Sequence, residues 1–149
     1  MKLKQTDKRL DKYINKYGCY YMSIANAVGK EFEPEELNAI WAKCIKLKYI
    51  SGDENNDGDM DDFNELLILN PDGVAKLLGA KLIYLTKHFT PETIITEPMY
   101  AIGCFYNPAN KFRHFVVINK DKKLVYDPIL NSVTVKKGYL ESIRLFRQY

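Results

Sequence analysis

Residues 112–127 read FRHFVVINKDKKLVYD. Two short runs rich in β-branched and aromatic residues, FRHFVVI (112–118) and KLVYD (123–127), flank a polar stretch that begins Asn119-Lys120-Asp121. This pattern predicts two antiparallel strands joined by a tight turn. Alternation places Phe112, His114, Val116 and Ile118 on one face of the first strand. The hairpin then brings Asp127 near the strand end that carries His114. An imidazole and a carboxylate so placed can hydrogen-bond, which fixes the ring's tautomer and orientation.

Outward from this hairpin, the second half keeps the same character. KLIYL (81–85), MYAIGCFY (99–106), SVTV (132–135) and SIRLF (142–146) are short and strand-like, and turn residues such as Asn107-Pro108, Asp127-Pro128 and Gly138 separate them. The first half has a helical period. Tyr21, Ile24, Ala25 and Val28 fall at i, i+3, i+4 and i+7, and Gly29 suits the helix stop. Pro34, Glu35 and Glu36 suit the first turn of a second helix whose apolar face holds Leu37, Ile40, Trp41, Cys44 and Leu47. A short helix over Asp72–Leu78 ends at Gly79, and residues 1–18 hold a short helix or turn before Gly18. Helices first and an antiparallel sheet second is the α+β pattern. The 149 residues are expected to form one domain, with a helical part at 1–80 and a sheet part at 81–149.

Charge is unevenly distributed. The 22 basic and 19 acidic residues give a net +3, yet residues 53–65 (DENNDGDMDDFNE) hold seven acids and no Lys or Arg. The remainder has 22 basic against 12 acidic residues, a net +10. A basic body favours anionic partners. Its Lys and Tyr residues match no nucleic-acid-binding module, so nucleic acid is not the expected partner. Within the acidic insert, Asp53, Asn55, Asp57 and Asp59 match positions 1, 3, 5 and 7 of a Ca²⁺ loop, and Gly58 matches position 6. The closing position 12 is Asn64 rather than Glu, which predicts weak Ca²⁺ binding; otherwise this is a solvated acidic turn or an internal counter-charge to the basic body.

No apolar segment follows the basic N-terminus MKLKQTDKRLDKYINKYG, and no run reaches the roughly 18 apolar residues of a membrane span. The expected location is the cytoplasm, with lysis as a route out. Three cysteines, Cys19, Cys44 and Cys104, form no disulfide framework or zinc pattern. Cys44 on an apolar helix face and Cys104 in an apolar strand read as core fillers. Cys19 differs: it follows Gly18 and opens a helix, where the helix dipole favours a thiolate. Of the two histidines, His88 has no polar cluster around it in the sequence, which leaves His114 as the candidate base.

A helix-start Cys, a strand His and an Asp on the next strand, in that order, suit nucleophilic catalysis. In Gly18-Cys19-Tyr20-Tyr21-Met22-Ser23-Ile24-Ala25, His114-Phe115-Val116-Val117 and Tyr126-Asp127-Pro128, the chain resembles the papain-like cysteine peptidase superfamily. The resemblance is to the bacteriocin-processing (double-glycine) peptidases and their phage and bacterial relatives, and it spans most of the chain. It implies a papain-like fold with Cys19 as nucleophile, His114 as general base and acid, and Asp127 orienting His114. It also implies an oxyanion-binding Gln, for which Gln5, 14 residues before Cys19, is the upstream candidate. Tyr20 stands where many members have Gly, so the cleft beside the nucleophile is reshaped. The implied substrates are peptide, protein or peptidoglycan-type amides, with no cofactor required. Two other readings stay open: a binding module that kept this fold without turnover, and a Ca²⁺-responsive interaction domain using loop 53–65.

Overall fold

A computed structural model describes residues 1–51, 68–89 and 92–149. The acidic segment 53–65, and with it the Ca²⁺ reading of Asp53, Asn55, Asp57 and Asp59, lies outside the described residues. Four helices come first: α1 (Lys12–Tyr17), α2 (Cys19–Asn26), α3 (Pro34–Lys46) and α4 (Pro71–Leu78). They are followed by β1 (Leu82–His88), β2 (Met99–Asn107), β3 (Phe112–Ile118), β4 (Leu124–Tyr126), α5 (Val133–Lys137) and β5 (Tyr139–Gln148). The chain is α+β, with a five-stranded sheet in the order β1-β5-β2-β3-β4 and every neighbouring pair antiparallel.

Local chemistry explains the helix boundaries. Glu33 and Glu36 form a reciprocal capping box at the start of α3, with Pro34 in its first turn. Asn70 caps α4 by accepting from the Gly73 N–H, and Gly79 ends it in the left-handed region at φ 84°. In α3, Leu37, Trp41 and Cys44 are buried as expected, whereas Ile40 is half-buried and Leu47, the residue that follows the helix, is exposed.

The stretch Ser132–Val135 corrects a sequence expectation. Its β-branched residues read as a strand, but they enter the short helix α5, where the Ser132 side chain accepts from the Val135 N–H. A capping serine and one apolar contact, Val135 against the second core cluster, decide the conformation over β-propensity. The strand expected at 142–146 is correspondingly longer, starting at Tyr139.

The core has two parts on opposite faces of the sheet. On the helix side, Ile102, Val117 and Phe146 pack with Tyr21, Ile24, Trp41 and Val74. On the other side, Ala101, Val116, Ile118, Ile143 and Leu145 close against Ile95 and Val135. The alternation of β2, β3 and β5 sends adjacent residues to different clusters. The first cluster is the larger, and it anchors α2 against the strands that carry the candidate site.

Candidate active site

Gly18 sets where Cys19 falls. It alone separates α1 from α2, and its N–H bonds the Ile14 carbonyl at 2.8 Å. A Cβ on this residue would lie 2.6 Å from the Ile14 carbonyl oxygen, so the break is sterically reserved for glycine. Cys19 is therefore the first residue of a new helix, and it is half-buried. The start of α2 is fastened to β3. The Ser23 hydroxyl reaches the Cys19 carbonyl at 2.8 Å and the Phe115 carbonyl at 3.4 Å, and the Tyr20 ring stacks on Phe115 with centroids 4.7 Å apart.

His114 is buried at 4% exposure. Its Nε2 is 2.6 Å from Asp127 Oδ1. A carboxylate only accepts, so Nε2–H is the donor, and Nδ1 is the ring nitrogen left for the Cys19 thiol, which acts on the same ring. Burial pulls the His114 pKa down, but the hydrogen bond to Asp127 and the neighbouring Cys19 outweigh it, and the value rises to about 9. The ring is thus an imidazolium at neutral pH. The juxtaposition expected from the hairpin is present: β3 and β4 pair antiparallel through Val117↔Tyr126 and Ile118↔Leu124, and Asp127 follows directly.

Asp127 is itself held. Its Oδ1 also accepts from the Ile129 N–H at 2.9 Å, and Lys4 Nζ donates to its backbone carbonyl at 2.7 Å. The N-terminal segment runs along this strand end, with Tyr126 OH donating to the Leu3 carbonyl and Gln5 N–H donating to the Pro128 carbonyl. Gln5 is buried, and its Nε2 donates to the Asn15 carbonyl at 3.1 Å. Reversing that amide would set two oxygens against each other, so the orientation is fixed. One N–H of the Gln5 amide remains uncommitted, and its Oε1 has no partner among the described residues. No hydrogen bond joins Gln5 to Cys19, His114 or Asp127.

The other cysteines behave as sequence position suggests. Burial pushes the thiols of Cys44 and Cys104 up to about 11, so both are protonated at neutral pH. His88 ends β1, which β5 and β2 separate from the strand that carries His114. Sequence reasoning missed Arg144. Its guanidinium lies over the Phe115 ring at 4.6 Å and near the Tyr20 ring at 5.7 Å. A charged residue in a strand gives no sign of which face it occupies until the strand's partners are known. Among the described residues, no group of three or more His, Cys, Asp or Glu side chains is arranged to hold a metal ion, and no helix is long and apolar enough to cross a membrane.

Fold and site together define an α+β protein with a buried His–Asp pair beside a cysteine that opens a helix. Residues 1–148 match the family described as "Protein of unknown function, DUF261", and the chain belongs to that family. No curated protein and no solved structure matches it.

Proposed function

We propose that this chain is a papain-like cysteine hydrolase that cleaves an amide or isopeptide bond. The observation that carries the reading is the buried His114–Asp127 hydrogen bond of 2.6 Å on a ring that Cys19 also acts upon. In the reaction, the proton given up by the Cys19 thiol is already carried on His114 Nδ1, as the charged ring requires, and the thiolate adds to the substrate carbonyl carbon. The Cys19 N–H and the uncommitted Gln5 N–H receive the developing oxyanion. The tetrahedral adduct collapses as His114 gives its proton to the leaving amine, which leaves a thioester on Cys19. His114 then deprotonates water, which attacks the thioester, and the thiol is restored. Asp127 keeps Nε2 as donor throughout, so Nδ1 is the nitrogen that gives and takes the transferred proton. The substrate class is a peptide, a protein or a peptidoglycan-type amide, in keeping with the net +10 that the chain carries outside residues 53–65.

Active-site alkylation tests the reading without a known substrate. Iodoacetamide should label Cys19 at least about tenfold faster than Cys44 or Cys104, and His114→Ala should remove most of that advantage. Turnover of peptides or purified peptidoglycan should then disappear in Cys19→Ala. Equal labelling of the three thiols would refute the assignment. Preferential Cys19 labelling with no amide cleavage on any of these substrates would favour the non-catalytic binding module.

A further inference from the structure

Arg144 sits on β5 facing the helix side of the sheet, half-buried, with its guanidinium against two aromatic rings. Those rings belong to Tyr20 and Phe115, the residues that follow Cys19 and His114 in the chain. They stack on each other at 22°, so they form one platform between the nucleophile's helix and the base's strand. Cys104 completes the floor. It pairs with Phe115 on one side and with Ser142 on the other, and its thiol lies within electrostatic reach of both Cys19 and Arg144.

The Arg144 charge has no answering carboxylate among the described residues. Its Nη1 donates to the neutral Ser142 hydroxyl at 2.6 Å, and the guanidinium also acts as a hydrogen-bond donor to the neutral Tyr20 hydroxyl. The acids that act on its neighbours Cys104 and Tyr20 are engaged elsewhere: Glu141 pairs with Arg113 at 2.9 Å, and Asp72 accepts from the Tyr84 N–H at 2.7 Å. A half-buried guanidinium held against aromatic rings and engaged by only two neutral hydroxyls keeps its remaining N–H donors in plane for a ligand. Their geometry matches a carboxylate's two oxygens.

Resting on the hydrolase reading above, we infer that Arg144 is a carboxylate-recognition residue flanking Cys19, and that the substrate carries an acidic group beside the bond attacked. That group is a Glu or Asp side chain or a chain-terminal carboxylate. Both present the same fork of oxygens.

Protection of Cys19 from iodoacetamide tests this on the full chain, with peptide mass mapping as the readout. Three small amides serve as probes: acetyl-glutamate amide carries only a side-chain carboxylate, acetyl-glutamine only a terminal one, and acetyl-glutamine amide neither. One or both acids should protect Cys19 at roughly tenfold lower concentration than the neutral amide, and the better acid identifies the source. Arg144→Gln should abolish this difference, and Arg144→Lys, which keeps the charge and loses the fork, should retain part of it. Equal protection by all three probes on a reactive Cys19 would overturn the carboxylate site alone, as would an acid preference that survives in Arg144→Gln. A Cys19 no more reactive than Cys44 and Cys104 would overturn the hydrolase reading and this inference with it.

Discussion

At the scale of single residues, the chemistry turns on which influence on His114 wins. Burial alone would hold the ring neutral, whereas Asp127 and Cys19 keep it charged up to about pH 9. Asp127→Asn removes the carboxylate charge and leaves burial in place. The His114 titration midpoint should then fall by about 1–3 pH units. The chain has only two histidines, so the ring signals in a proton NMR titration are simple to assign with a His88→Gln variant. An unchanged midpoint would show that Asp127 does not govern the ring. If the proposed activity is found, its alkaline limb should move in the same direction, because only the protonated ring can hand a proton to the leaving amine. The His114–Asp127 pair was legible from sequence because a short hairpin makes it local: two β-rich runs and a polar turn leave one way to fold. Arg144 was not legible. Its position over Phe115 depends on β5 lying between β1 and β2, and that pairing joins residues far apart in the chain.

At the scale of elements, the α1–α2 junction is the most constrained feature of the site. Gly18 has φ −83°, which any residue adopts, so its requirement is space rather than backbone freedom. A methyl group there meets the Ile14 carbonyl oxygen at 2.6 Å and the Ile14 side chain at 2.7 Å. Gly18→Ala should therefore destabilise the protein by about 1–3 kcal/mol, the usual range for overpacking. It should also slow Cys19 alkylation by displacing the start of α2. Urea unfolding and the alkylation rate measure the two effects, and a variant as stable and as reactive as wild type would refute the steric account. Helix α2 itself was legible from its apolar spacing and from Gly18. Helix α5 was not, because Ser-Val-Thr-Val satisfies a strand pattern equally well. Only the Ser132 cap and the packing of Val135 beneath the sheet select the helix.

At the scale of the whole molecule, the site ties stability to pH. The sequence predicted helices before an antiparallel sheet, which the structure bears out, but a helix-to-sheet order carries no information about proton linkage. His114 titrates near 9 when folded and near its ordinary 6.5 when unfolded. The folded state binds this proton more tightly, so its contribution is complete below about pH 6.5 and is lost as pH rises through about 9. On the acid side, the Arg9 guanidinium holds Asp7 down to about 2, and Lys30 holds Glu36 below its usual value. These carboxylates stabilise above their unfolded values and cease to do so as pH falls. Stability should therefore be greatest between about pH 5 and 6.5, below neutrality. Above pH 9 the buried thiols of Cys44 and Cys104 extend the decline, since they resist ionisation when folded and ionise freely when unfolded. Urea midpoints measured in reducing buffer at pH 6, 7.5, 9 and 10 should fall steadily in the wild type. In His114→Gln the decline between pH 6.5 and 9 should flatten while the later loss remains. A wild-type midpoint constant across that window would mean that His114 binds its proton equally in both states, and the charged pair at the centre of the site would then be absent.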